Sequence, residues 1–171
     1  MRKCSPVIGV VFLFMCFAAA SSAQPQLDSA PPPLKVVSKS ELAQLEASRD
    51  IKKRTQTALE LMSARLKQAE VLIVQENLDQ MYKELGGFHG LMDNTLAFLN
   101  ASDRDSGKVL NNFKRFEIGL RQFRPRLELI RRDIPSNYEP YVRNLIMYVR
   151  DARSKAVEPM FGDSVVPRTK S

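Results

Sequence analysis

The chain has 171 residues and a formal net charge of +7, with 26 Lys and Arg against 19 Asp and Glu, one His, two Cys and no Trp. One histidine, and two cysteines confined to the first 16 residues, exclude a thiolate or multi-histidine metal centre in the rest of the chain. They exclude a disulfide framework there too, so the core must form by packing alone, which this length supports.

Residues 1–23 have the layout of a secretory signal peptide. Arg2 and Lys3 form a basic start, Val7–Ala20 is uncharged and apolar, and Ser21-Ser22-Ala23 are small. The apolar run falls short of the ~20 residues of a comfortable membrane span. Cleavage after Ala23 is therefore expected, with Ala20 the second choice, ahead of a retained anchor. Cys16 follows Phe14 and Met15, whereas a lipidation site calls for small residues there. Cleavage removes both cysteines and leaves no transmembrane segment in the mature chain. The expected location is exported, periplasmic or secreted, with a bacterial envelope the leading host setting.

Gln24–Val37 contains Pro25 and Pro31-Pro32-Pro33 and reads as a semi-extended, polyproline-like linker or a disordered arm, residues 24–37. A helix starts next. Ser38 with Glu41 makes a capping box, and Val37 with Leu42 stands where a hydrophobic staple packs. No Gly or Pro interrupts Lys39–Gln75, which predicts one long first helix of about 55 Å at 1.5 Å per residue. Leu59, Met62, Leu66, Ala69 and Ile73 form its apolar stripe.

A break near Glu76-Asn77 leads to a second helix over Leu78–Leu99, with Leu78, Met81, Leu85, Phe88, Met92, Leu96 and Leu99 on one side. Gly86, Gly87 and Gly90 weaken it, marking either a close approach of a neighbouring helix or a local break. Asn100–Gly107 is a loop, and its Asn100-Ala101-Ser102 has the form of a glycosylation sequon, relevant only to a eukaryotic secretory route. The third helix, Lys108–Arg132, carries Phe113, Phe116, Leu120, Phe123, Leu127 and Ile130. Pro125 inside it predicts a kink near Arg121–Arg124 or two helices in line. Ser136 with Glu139 is a second capping box, opening a fourth helix with Val142, Leu145, Val149, Ala152 and Ala156, up to Pro159. Met62, Met81, Met92 and Met147 read as core filling. Residues 160–171 read as a flexible tail.

No segment alternates with period two. The expected fold is all-α: an antiparallel bundle of about four helices with a long first helix, residues 38–159, after a signal peptide.

Charge is unevenly spread. Ser38–Asn100 carries 8 Lys and Arg against 9 Asp and Glu, whereas Arg104–Ser171 carries 15 against 8. Lys108, Lys114, Arg115, Arg121, Arg124, Arg126, Arg131 and Arg132 of the third helix are the candidate binding residues. The aromatics between them share the buried side, so this is not a nucleic-acid contact strip. An anionic envelope surface or an acidic protein is the expected partner, and nucleic acid is not.

His89 is the one histidine, with Asp93 four residues on, so a base–orienter or two-ligand pair is conceivable on one helix side. No second His and no later Cys completes a zinc set. No nucleophile elbow, phosphate loop or dinucleotide fingerprint occurs. No catalytic residue, metal or cofactor is assigned.

Ala58-Leu59-Glu60-Leu61-Met62-Ser63-Ala64-Arg65-Leu66-Lys67-Gln68-Ala69-Glu70, the stretch Gly107–Glu117 and the ending Asp151–Asp163 resemble uncharacterised all-helical domains of exported bacterial proteins. The resemblance spans Arg54–Asp163 and is weakest at the second helix, where glycines replace ordinary helix formers. It implies an envelope protein of unknown function, with no catalytic residues to carry over. The function expected is a non-catalytic binding or scaffold protein of the envelope. The alternatives are a metal- or substrate-handling enzyme centred on His89 and Asp93, and a holdase-like chaperone using the long first helix and the groove beside it.

Overall fold

Ser38 starts the first helix through a reciprocal cap. In a computed structural model, which describes residues 29–102 and 106–161, its side chain accepts from the Glu41 N–H while the Glu41 carboxylate accepts from the Ser38 N–H. Helix α1 (Lys39–Ala47) follows and is short. Asp50 accepts from the Lys53 N–H and starts a new helix, α2 (Ile51–Val74). The long helix expected over Lys39–Gln75 is therefore two, and the described chain has five helices instead of four. The cause is local. The Ser48 N–H closes α1 on the Leu45 carbonyl, and the Asp50 carboxylate satisfies an N–H that a continuing helix would have bonded itself.

The α2–α3 connection needs only three residues. Glu76 takes a left-handed conformation (φ 57°), the Asn77 N–H reaches the Leu72 carbonyl and the Glu76 N–H the Ile73 carbonyl. This is a Schellman closure built without glycine. The Asn77 side chain then caps α3 (Leu78–Ala101), which runs unbroken through Gly86, Gly87 and Gly90. Helix α4 (Gly107–Asp133) runs through Pro125 as one helix, overturning the reading as two in line. Leu120, Phe123, Leu127 and Ile130 stay buried on both sides of the proline, and that packing holds the helix across a missing hydrogen bond.

Helix α5 (Glu139–Phe161) starts differently from expectation. Glu139 is its first residue, and its carboxylate accepts from Arg131 and Arg143 instead of closing a capping box with Ser136. Ser136 sits in a turn closed by the Tyr138 N–H on the Pro135 carbonyl.

α2 packs against both α3 and α4, and α4 packs against α5, while the backbones of α3 and α5 stand further apart and meet through side chains such as Tyr82, His89, Tyr141 and Tyr148. The core they share includes Met62, Leu66, Met81, Leu85, Phe88, Phe113, Phe116, Leu120 and Leu145. Each such side chain contributes about 1.5–3 kcal/mol on burial. Met62, Met81 and Met92 fill core, but Met147 is exposed, because the buried stripe of α5 passes through Leu145 and Val149 on the opposite side. No helix among the described residues is long and apolar enough to cross a membrane.

The open side between α3 and α5 is covered by chain from before α1. Ala30 donates its N–H to the Asn137 carbonyl, just ahead of α5, and its carbonyl accepts from the Tyr82 hydroxyl at 3.4 Å. The segment then passes over the glycines of α3. A methyl group on Gly86 would lie 2.3 Å from the Leu34 carbonyl oxygen, and one on Gly90 2.9 Å from that of Lys35. Two of the glycines thus admit an extended strap, not a neighbouring helix. Gly87 instead faces the Arg65 guanidinium of α2. The expected signal peptide (residues 1–23) and the last ten residues of the expected tail lie outside the described residues.

Candidate functional site

The eight basic residues singled out on the third helix all lie on α4, and the structure spreads them around it. Arg126 turns towards α2, where it is held bidentately by Glu70 and donates to Ser63. Arg131 reaches Glu128 on its own helix and Glu139 at the start of α5. Arg121 clamps Glu117, and Arg115 donates to Asn112. Three of the eight are thereby neutralised by carboxylates and act as staples within and between helices. Lys108, Lys114, Arg124 and Arg132 are exposed and make no ion pair among the described residues. The eight do not form one surface.

A smaller basic group does form. Arg124 of α4 and Arg150 of α5 line one open groove of about 480 Å³, with Arg153, Ser154, Val157, Glu158 and Phe161 along it. Behind them Glu117 is 4% exposed and accepts from Arg121 and Arg153 together. The Arg121 hydrogen bond is the main reason its carboxyl is held below the usual range; burial opposes this and Arg153 reinforces it. Arg124 and Arg150 make no ion pair among the described residues, although the Glu158 carboxylate lines the same groove. Arg150 and Arg153 were not singled out from sequence, although their spacing of three on an amphipathic helix places them side by side.

The second candidate, His89 with Asp93, lies in the seam between α3 and α5. His89 is 1% exposed. Its Nδ1 is 3.3 Å from the Tyr141 hydroxyl and its Nε2 is 3.8 Å from Asp93 Oδ2, too long for a hydrogen bond. The same Asp93 oxygen accepts from Lys35 Nζ of the strap at 2.8 Å. Burial lowers the His89 pKa; Asp93 raises it and Lys35 lowers it, with a net downward result. The imidazole is neutral at physiological pH. All four tyrosines of the chain gather at this seam. Tyr82 packs edge-to-face on Tyr138 and Tyr141, at ring separations of 5.0 and 5.1 Å, and Tyr148 lies 4.7 Å from the His89 ring. Among the described residues no three His, Cys, Asp or Glu converge to hold a metal ion. The pair has the spacing expected of it, but its surroundings are phenols and a lysine, with neither a nucleophile pair nor a ligand set.

The chain matches no protein-family model, no curated protein and no solved structure.

Proposed function

We propose that the chain is an exported, non-catalytic helical binding protein of the cell envelope, and that its α4–α5 groove meets an anionic surface. The reading takes residues 1–23 as its export signal and α2–α5 as an antiparallel bundle, and it is in keeping with the resemblance to exported bacterial helical domains. One observation carries it. Arg124 and Arg150 stand unpaired and exposed at one groove, while the neighbouring Arg121 and Arg153 are fixed on Glu117 behind them. Two exposed cations without an ion pair, next to two held on Glu117, favour a ligand with several negative charges.

The test is sedimentation of the full chain with phosphatidylglycerol vesicles, read as the excess over neutral phosphatidylcholine vesicles. We expect binding that weakens steeply with added salt. Arg124→Glu with Arg150→Glu reduces that excess at least ~10-fold, whereas Lys52→Glu with Lys53→Glu, the same charge change on exposed α2 positions, leaves most of it. No excess binding by the unmodified chain, or equal loss from both double variants, overturns the assignment to this groove.

A further inference from the structure

We infer that residues 29–37 form an acid-released latch: protonation of His89 detaches this strap from the α3–α5 seam. The inference goes beyond the binding function proposed above and stands or falls independently of it. Its basis is that one carboxylate oxygen serves two cations in prospect. Asp93 Oδ2 accepts from Lys35 Nζ at 2.8 Å, and His89 Nε2 waits 3.8 Å from the same atom. Both nitrogen groups lie against the Tyr148 ring, the imidazole 4.7 Å and the ammonium 5.5 Å from its centroid. The charged and titratable groups facing His89 are Asp93 from α3, Lys35 from the strap, and Tyr141 and Tyr148 from α5. Burial pushes the Tyr141 hydroxyl far above its ordinary value, so it offers no negative charge.

With His89 neutral, Lys35 and Asp93 balance. With His89 protonated, two cations share one carboxylate, and one of them is enclosed by protein. Opening the strap relieves both costs, because it hydrates the imidazolium and separates it from Lys35. The sign follows from linkage. A histidine that titrates below its ordinary value of about 6.5 when covered binds its proton more tightly when uncovered, so acid favours the open form. Closure is fully stable above about pH 6.5 and is lost as pH falls through the lower value of the covered state. The other ties of the strap lie at its two ends: Ala30 bonds Asn137 and Tyr82, and Val37 packs on the core, while Leu34 in the middle is 80% exposed. Its release bares Gly86 and Gly90 of α3 and uncovers Tyr82 and Tyr148 further.

His89 is the only histidine, so its C2–H resonance titrates without overlap from another imidazole. In the full chain we expect that resonance to titrate below pH ~6.5. Over the same range, amide protection of residues 34–37, corrected for intrinsic exchange, falls as His89 takes up its proton. Protection in α2 and α4 stays constant. His89→Gln gives strap protection independent of pH, and Lys35→Met gives low protection throughout. If His89→Gln does not fold, the unmodified chain still decides the matter. A His89 titration with unchanged strap protection overturns the latch, as does simultaneous loss of protection in α2 and α4. An equal acid response in folded His89→Gln overturns it as well.

Discussion

Where α2 crosses α4, the contact is apolar and close. Leu59 lies over Gly119, and the buried side chains flanking the crossing include Met62, Leu66, Phe113, Phe116 and Leu120, with the Arg126–Glu70 pair at one end. Between α3 and α5 the helices stand apart, and the gap is filled by tyrosines, one histidine and an extended strap. The first arrangement has almost nothing that titrates. In the second, a buried imidazole sits behind an exposed ion pair. One body thus combines a contact that responds mainly to volume with a seam that responds to protons.

The largest expected effect separates them by volume. Phe116→Ala removes a fully buried ring, at a cost of about 3–5 kcal/mol. Urea unfolding should show a lower midpoint with an unchanged slope, and strap and helices should lose protection together. If the strap alone responded, the core would not be continuous across the two regions.

An intermediate effect separates them by pH. Glu117→Gln leaves Arg121 and Arg153 without their shared carboxylate. Because Arg121 is largely exposed to water, we expect a loss of about 1–2 kcal/mol, not the full cost of a buried pair. Glu117 titrates below its unfolded value of 4.5, so its contribution is complete above that value and disappears as pH falls through the lower folded value. Acid should therefore act on the seam first, through His89, and on the α4–α5 side only later, through Glu117. Denaturation followed at both places checks the order, and a single coincident transition would falsify it.

Those responses also mark what could be read from residue order. The stripes of α4 and α5 were legible because each repeats with helical period, and every one of Phe113, Phe116, Leu120, Phe123, Leu127 and Ile130 is buried. The Ser38 capping box was legible because both partners lie within four residues. The Asp50 break was not: no Gly or Pro marks it, and the polar run around it suits a helix surface equally well. The basic residues of α4 looked like a set because their partners Glu70 and Glu139 sit on other helices. For the same reason the His89–Asp93 spacing was visible, whereas Lys35 and Tyr141, each more than 50 residues from their partners, were not. The α3 glycines signalled a close approach, but nothing nearby in sequence named the proline-rich strap as what approaches.

Gly86→Ala isolates the strap with the smallest expected change in overall stability. Replacing a mid-helix glycine stabilises α3 by about 0.8–1 kcal/mol. The new methyl group would lie 2.3 Å from the Leu34 carbonyl oxygen, which is backbone and cannot rotate aside, so the strap must lift. These effects oppose each other, and the melting temperature should move by only a few degrees. Locally the change is large: amide exchange at residues 34–37 accelerates at neutral pH, and the His89 resonance titrates closer to its ordinary value because water now reaches it. Gly119→Ala is the matching change at the α2–α4 crossing. There the obstacle is the Leu59 side chain at 2.5 Å, which can change rotamer, so the strap and His89 should be unaffected. Were Gly86→Ala to leave both strap exchange and the His89 titration unchanged, the glycines would not be the seat of the strap. The depressed His89 pKa would then have to come from packing against Tyr141 and Tyr148 alone.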